Sequence, residues 1–261
     1  MYPSAASIEA FLKKDRSKPF ICCEYAHAMG NSLGAMHYYT DLTDTEPLYQ
    51  GGFIWDYIDQ SIYKKDRYGK EFQAYGGDFK ERPTDYNFSG NGIVYGGERN
   101  ESPKMQEVKY NYQNITVTVK GDRAHIINKN LFTNTNAYDC VCTLQRDGSV
   151  VETAMMETAV EPLSEGLCDL PVAPHGEPGE YVITVSFRLG QDTCWAKKGY
   201  EIAFGQHVYK VERKKQSENR GGLEIIDDDH NIGVRGAHFS AICSVLNGGL
   251  VSYRYGGKEM I

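Results

Sequence analysis

The sequence lacks the features that mark several special classes of protein. No apolar run approaches the roughly 18 residues of a membrane-spanning helix, and the opening residues lack the basic-then-apolar pattern of a secretory signal. Positive charge is also scarce, because 28 lysines and arginines stand against 35 acidic residues and leave a net charge of −7. These absences disfavour both a membrane and a nucleic acid as partners.

The seven cysteines lack the spacing of a metal site or of a disulfide framework. Their number is odd, no Cys-x-x-Cys pair occurs, and Cys22 and Cys23 are adjacent. Cys140 and Cys142 alternate with Val141, as neighbours on a strand do. The pattern predicts packed, reduced thiols and a cytoplasmic protein.

The composition that remains is that of an ordinary folded protein. Hydrophobic residues make up 41% of the chain and charged residues 24%, which is enough apolar material for a core. The 19 tyrosines suit β-strands, but a flat ring with a hydroxyl also suits a sugar-binding surface. Composition alone leaves both interpretations of the tyrosines open.

The first 112 residues predict helices that alternate with buried strands. Apolar residues at helical spacing indicate three helices, each preceded by a possible capping residue, and two continuous apolar runs indicate strands buried on both faces. This order is typical of β/α folds, and residues 63–100, which have little periodicity, predict a long functional loop. The predicted helices are Ser7–Lys14 (cap Ser7), 31–42 (cap Asn31 or Ser32) and Pro103–Tyr112 (cap Ser102), and the predicted strands are Pro19–Cys23 and Gly51–Trp55.

Beyond residue 113 the periodicity changes to that of antiparallel sheets. Short segments with strict alternation, such as Ile115–Val119, Tyr138–Leu144 and Tyr181–Phe187, are separated by turn residues. They predict a β-sandwich over residues 113–208. A charged stretch, 210–220, predicts a linker, and residues 239–255 predict a hairpin that opens a further β-domain within 209–261.

Glu24 is the strongest catalytic candidate. It lies at the end of the first apolar strand and is followed by Tyr25, Ala26 and His27. Catalytic groups of (β/α)8 barrels project from the carboxyl ends of the strands, where a carboxylate can attack the anomeric carbon of a sugar. A strand-end glutamate in an ordinary ion pair remains the alternative on spacing alone.

Four sequence motifs resemble one enzyme family in the correct order. The strings CCEYAHAMGNS (22–32), QGGFIWDYIDQ (50–60), YGGDF (75–79) and FSGNG (88–92) are similar to the nucleophile strand, last barrel strand and following loop of the glycoside hydrolase family 2 β-galactosidases. The resemblance implies that residues 1–112 are the C-terminal part of a TIM barrel. It further implies that 113–208 form an immunoglobulin-like sandwich and that 209–261 begin the terminal β-domain.

The resemblance also implies a role for each matching residue. Glu24 would be the nucleophile of a retaining, double-displacement mechanism on β-galactosides. His27 would bind galactose hydroxyls, and Trp55 would form an apolar wall under the sugar, unless it is barrel core. Asn91 would contact the substrate. Asn91, through its side-chain oxygen, and Phe88, through its backbone carbonyl, would also border a sodium site, since hard cations take oxygen ligands.

A second catalytic carboxylate is not evident in the sequence. A retaining glycosidase needs two, about 5–5.5 Å apart, and the family's acid/base glutamate follows an asparagine. The one such pair, Asn100-Glu101, belongs to a loop that enters a helix, and Asp56, Asp59 and Asp78 suit loop-holding hydrogen bonds. We therefore expect the acid/base residue and the magnesium ligands to lie outside this chain, which would be a fragment that is inactive alone.

Two other functional hypotheses remain open from the sequence. The β-sandwich could act as a structural or interaction module that links catalytic and terminal domains, or Trp55, His27 and the tyrosines could form a sugar-binding surface without catalysis. An incomplete barrel would also expose apolar strand faces, which predicts a homo-oligomer.

Overall fold

The computed structural model describes residues 2–173, 175–212 and 222–261. They fall into two compact units, 2–211 and 212–261. The predicted linker lies mostly outside the described residues, from residue 213 onward.

The first unit opens with the predicted alternation of helices and strands. Its elements are helix α1 (Ala5–Lys14), strand β1 (Phe20–Tyr25), helix α2 (His37–Thr45) and strand β2 (Tyr49–Ile54). The two strands run parallel, with Phe20 opposite Tyr49 and Tyr25 opposite Ile54. The parallel pairing confirms the predicted β/α organisation.

Only one face of this two-stranded sheet is covered. Cys22 and Tyr49 are buried in a cluster with Ile8 and Leu12 of helix α1. On the uncovered side, Ile21 is 60% exposed and Phe53 is 66% exposed. The prediction that both strands are buried on both faces is therefore wrong. The cluster around helix α1 covers one face of the two-stranded sheet, and Ile21 and Phe53 on the other face are exposed.

The predicted helix caps are also wrong. Helix α1 is capped by Ser4, whose Oγ accepts a 3.2 Å hydrogen bond from the Ser7 amide. Helix α2 begins only at His37, because Leu33 and Ala35 have φ angles of 68° and 59°, which no right-handed helix accommodates. The Ser32 hydroxyl instead donates to the carbonyl oxygens at 27 and 29.

The long predicted loop contains regular structure. Strands β3 (Ile62–Lys65) and β4 (Glu71–Ala74) form an antiparallel hairpin, and a 3₁₀ helix spans Tyr86–Ser89. Helix α3 (Lys104–Asn111) follows, but the Ser102 hydroxyl donates to the Ile93 carbonyl and does not cap it. Apolar and polar residues do not alternate clearly along this hairpin, so the sequence did not predict its two strands.

The rest of the first unit consists of two antiparallel sheets around one core. The four-stranded sheet has the order β11-β10-β7-β8, and the three-stranded sheet has the order β5-β6-β9. Buried residues from both sheets, such as Val117, Ile126, Leu144 and Phe187, form a single hydrophobic cluster. The strands are β5 (Ile115–Lys120), β6 (Arg123–Asn128), β7 (Tyr138–Arg146), β8 (Ser149–Met156), β9 (Ser164–Asp169), β10 (Gly179–Leu189) and β11 (Glu201–Val211), with a 3₁₀ turn at Thr135–Ala137.

The cysteines are reduced, as the sequence predicts, but Cys23, Cys194 and Cys243 are exposed and not packed. All seven are free thiols in the described residues. Burial raises the pKa of Cys140 to about 12 and that of Cys142 to about 11, so both thiols stay protonated at neutral pH. They pack as small apolar groups in the core of the two sheets.

One buried asparagine organises the connections around strand β6. Asn128 is fully buried, and its amide nitrogen donates to the carbonyls of Thr133, Val160 and Glu161 at 2.9, 2.9 and 3.2 Å. Its side-chain oxygen accepts from the backbone and side-chain nitrogens of Asn130 at 3.1 and 2.9 Å. Each hydrogen-bonding group of this side chain is therefore satisfied, as burial requires.

Helix α3 is attached to strand β11 by one glutamine. The Gln113 side chain donates to the Phe204 carbonyl at 3.1 Å and accepts from the Phe204 amide at 3.0 Å. The rings of Tyr110 and Phe204 lie 5.3 Å apart, and Lys109 reaches Glu201 at 3.8 Å. The Gln113 side chain thus forms the same pair of hydrogen bonds with the Phe204 backbone that a residue of a neighbouring strand could form.

The second unit is a single antiparallel meander. It comprises β12 (Glu224–Asp227), β13 (Asn231–Arg235), β14 (Phe239–Ser244), β15 (Gly249–Tyr255) and β16 (Lys258–Glu259), in sequential order. The pairing of β14 with β15 confirms the predicted hairpin. Apolar residues such as Ile225, Leu246 and Leu250 remain exposed, since one sheet cannot enclose a core.

Candidate active site

The carboxyl ends of the two parallel strands meet at the predicted site. The Trp55 amide donates to the Tyr25 carbonyl at 3.2 Å, and the Ala28 amide donates to the Trp55 carbonyl at 2.6 Å. These bonds continue the strand pairing beyond β1 and β2. They bring the segment that carries Glu24 and His27 alongside Trp55, as parallel strands predict.

Glu24 has a neighbour that the sequence did not reveal. The Tyr2 amide donates to the Glu24 carbonyl at 3.1 Å, and the Tyr2 ring lies edge-on to His27 with 5.5 Å between centroids. Desolvation, a side-chain hydrogen bond to Glu24 and the negative charge of Glu24 raise the pKa of Tyr2 to about 12. The phenol is therefore neutral at physiological pH.

Tyr2 carries no sequence signal of its own. It precedes helix α1, belongs to no periodic segment and is separated from Glu24 by a whole helix. Only the return of the chain along strand β1 brings the two residues together. A contact of this kind depends on tertiary structure and is invisible to pattern and spacing.

The 88–91 turn lies beside the same strand ends. The rings of His27 and Phe88 are 6.4 Å apart, and the Asp56 amide donates to the Asn91 carbonyl at 2.8 Å. Asn91 is 2% exposed, and its amide nitrogen donates to the Phe88 carbonyl at 2.8 Å. The structure thus brings Glu24, His27, Phe88 and Asn91 into one neighbourhood through a chain of direct contacts.

The turn also offers oxygen to a cation. The side-chain oxygen of Asn91 is buried and has no hydrogen-bond partner, and it shares the turn with the Phe88 carbonyl oxygen. A buried acceptor without a donor is costly unless something else satisfies it, and a hard monovalent cation takes such neutral oxygens. The residues expected to border a sodium ion therefore fit one chemically.

The aspartates near the site hold loops. The Asp59 carboxylate accepts from the Gly92 amide at 2.6 Å, and that of Asp78 accepts from the Tyr75 amide at 2.9 Å. The Asp56 carboxylate accepts from the Gln60 amide nitrogen at 3.2 Å. All three therefore have the structural role that the sequence suggested.

Glu101, the glutamate that follows Asn100, lies shortly before a helix. Glu101 forms an isolated bridge with Val94 and precedes helix α3, and the Asn100 carbonyl accepts from the Tyr95 amide. This is the predicted loop entering a helix. Among residues 2–173, 175–212 and 222–261, no group of three or more His, Cys, Asp or Glu side chains could hold a metal ion.

The described part of the chain also contains no helix long and apolar enough to cross a membrane.

Two family models match most of the chain. Residues 1–117 match the TIM barrel domain of the family 2 glycosyl hydrolases, and residues 124–210 match domain 4 of β-galactosidase. The parallel strands β1 and β2 lie within the first match. Four of the seven strands of the two-sheet region, β7 to β10, lie wholly within the second match, and β6 and β11 each extend one residue beyond it.

Curated relatives support the same family over the full length of this chain. It is 50% identical over 262 aligned residues to a β-galactosidase of Clostridium acetobutylicum and 50% identical over 264 to one of Halalkalibacterium halodurans. The chain spans only 29% and 26% of the length of those relatives. A solved β-glucuronidase of Parabacteroides merdae aligns with a TM-score of 0.30 at 10% identity over 94% of this chain and 31% of its own, which is too distant to support an argument. The motifs around Glu24, the two family models and these relatives agree that the chain belongs to glycoside hydrolase family 2.

Proposed function

We propose that this chain supplies the nucleophile of a retaining β-galactosidase. The observation that carries the proposal is the placement of Glu24 at the carboxyl end of a parallel strand, with Tyr2 and His27 beside it. The galactoside substrate follows from the relatives, which are β-galactosidases at 50% identity.

The reaction proceeds in two displacements. A Glu24 carboxylate oxygen attacks the anomeric carbon, and the bond to the leaving oxygen breaks while that oxygen takes a proton from an acid outside this chain. A water oxygen then attacks the same carbon, and the bond to Glu24 breaks, which restores the carboxylate. Each displacement inverts the configuration of the anomeric carbon, so the two together retain it.

Neighbouring side chains prepare Glu24 for this role. The neutral Tyr2 phenol lies beside Glu24 and can donate a hydrogen bond that orients the carboxylate. His27 binds sugar hydroxyls, and half-buried Trp55 provides an apolar face for the ring. A sodium ion held by Asn91 and the Phe88 carbonyl would supply positive charge to substrate oxygens, and magnesium would be held by groups outside this chain.

The two antiparallel sheets have a different task in this proposal. We assign residues 113–208 to an immunoglobulin-like connector between the barrel segment, 1–112, and a further β-domain that includes 209–261. The closed core of the two sheets supports this assignment, because it needs no additional strands. Limited proteolysis should cut the first hundred residues before it cuts the sheets; equal protection of both would argue against a connector that folds independently.

A chimera tests the nucleophile directly. These 261 residues would replace the matching segment of the Clostridium acetobutylicum relative, and hydrolysis of a nitrophenyl galactoside would be measured. The chimera should be active, and Glu24→Gln should reduce kcat by roughly a thousandfold or more, the scale on which loss of a covalent nucleophile acts. Glu101→Gln is the matched control and should retain activity; an active Glu24→Gln chimera would exclude the assignment.

The isolated chain tests the need for an external acid. Purified alone, it should show no turnover of the nitrophenyl galactoside above the buffer rate, since one carboxylate cannot perform both steps. Turnover that disappears in Glu24→Gln would mean that this chain contains its own acid/base residue.

A further inference from the structure

Unpaired buried oxygens are concentrated at one turn of the molecule. Among the described residues, three buried side-chain polar atoms have no hydrogen-bond partner: Ser89 Oγ, Asn91 Oδ1 and Thr158 Oγ1. Two of the three lie two residues apart, in the turn that borders the candidate active site. Buried polar atoms are normally paired, so two unpaired oxygens in one turn indicate a ligand that both could contact.

The backbone around this turn is fixed from both sides. The Gln60 amide donates to the Ser89 carbonyl at 2.8 Å, and the Asp56 amide donates to the Asn91 carbonyl at 2.8 Å. The Gly90 amide donates to the Asn87 carbonyl at 3.0 Å. The Ser89 side chain therefore projects from an anchored backbone, which fixes the position of its Cα beside Asn91.

The unpaired atoms have the chemistry of cation ligands. Asn91 has already used its amide nitrogen on the Phe88 carbonyl, so what remains is an acceptor oxygen. The Ser89 hydroxyl oxygen carries two lone pairs. The oxygens at 88, 89 and 91 are all neutral, and a neutral oxygen set suits a monovalent cation better than a divalent one, which generally recruits carboxylates.

We propose that Ser89 Oγ is a further ligand of the alkali-metal cation. Residues 88–91 then supply three oxygens from one turn: the Phe88 carbonyl, the Ser89 hydroxyl and the Asn91 side-chain oxygen. This inference rests on the cation site proposed above and extends it by one residue, which neither motif nor resemblance assigned.

The test measures binding of sodium itself, without substrate. The full 261-residue chain would be titrated with NaCl at constant ionic strength, balanced with choline chloride, while ²³Na NMR line width and melting temperature are recorded. Ser89→Ala should raise the Kd for sodium about tenfold and reduce the sodium-dependent rise in melting temperature accordingly. Ser89→Cys keeps the side-chain volume but offers a soft sulfur atom, so it should weaken sodium binding as alanine does.

Thr158→Ala provides the matched control. It removes the third unpaired hydroxyl, which lies in the two-sheet region, and should leave the Kd for sodium unchanged. Equal sodium affinity in the wild type and Ser89→Ala would overturn the inference, as would a wild-type chain that binds no sodium. The readout needs neither galactoside nor Glu24, so its failure is distinct from failure of the nucleophile chimera.

Discussion

Replacement of Asn128 by leucine should destabilise the two-sheet region strongly. Leucine has a similar size but leaves the carbonyls of Thr133 and Val160 without their 2.9 Å donor, and it removes three further bonds, to Glu161 and Asn130. At roughly 0.5–1.5 kcal/mol net per hydrogen bond, five bonds give about 2.5–7.5 kcal/mol. Glu161 is exposed and Asn130 half-buried, so water can replace part of the loss, and we expect about 3 kcal/mol.

Urea unfolding of the full chain, followed by far-UV circular dichroism, provides the measurement. The free energy of unfolding falls by about 2 kcal/mol for each molar of urea. A variant that loses about 3 kcal/mol of this free energy should therefore unfold at a midpoint roughly 1.5 M lower. Asn136→Ala is the control, because the exposed Asn136 side chain makes no hydrogen bond and should shift stability by no more than about 0.5 kcal/mol. A leucine variant within about 1 kcal/mol of the wild type would refute the assumption that buried carbonyls at this site need a protein donor.

Three further predictions concern the first unit. Gly92→Ala should unfold the loop beside the active site, because an added Cβ would lie 2.2 Å from the Asp59 backbone nitrogen, whereas Gly34→Ala meets nothing within 4 Å; hydrogen exchange of the 88–94 amides would distinguish them. The Tyr2 pKa is raised from 10.0 to about 12, so its contribution to stability is fully present below pH 10 and is lost as the pH rises through 12. Difference absorbance at 295 nm against Tyr2→Phe should place this titration near 12 in the wild type and lower in Glu24→Gln, which removes the charge of Glu24 but not the desolvation, and equal values in both would contradict the contact. The uncovered face of β1 and β2 should drive self-association of the isolated chain; a monomer by light scattering at high concentration would disprove this.

The regular strands were the most predictable part of the fold. Alternation at Ile115–Val119 and Tyr138–Leu144 marked strands because one face of each is buried against the opposite sheet. Continuous apolar runs likewise located β1 and β2 and their parallel pairing. The pattern could not show that Ile21 and Phe53 lack a cover, because burial depends on neighbours that periodicity does not count.

Helix starts were the least predictable feature of the fold. Ser7, Ser32 and Ser102 are all residues that favour capping, yet each hydroxyl bonds elsewhere in the structure. Serine forms short-range hydrogen bonds with many backbone groups, so its presence before an apolar stripe does not select one partner. The positive φ at Leu33 reflects tertiary constraints that override local preference.

The candidate site, like the fold, contains residues that the sequence indicated and residues that it did not. Contiguous strings made Glu24, His27 and Trp55 candidates, and the two parallel strands that carry them end at the same edge of the sheet. The sequence could not indicate Tyr2, since helix α1 and most of strand β1 separate it from Glu24 along the chain. The sequence could not indicate Ser89 either, because only the folded structure shows that its hydroxyl is buried without a hydrogen-bond partner.

The double hydrogen bond of Gln113 has a consequence for motion. It fixes the end of helix α3 to Phe204, and the 5.3 Å contact between Tyr110 and Phe204 lies beside it. A hinge needs a segment that can change its backbone angles without breaking contacts, and these contacts resist bending between helix α3 and strand β11. A spectroscopic label on the two-sheet region should therefore report the orientation of helix α3.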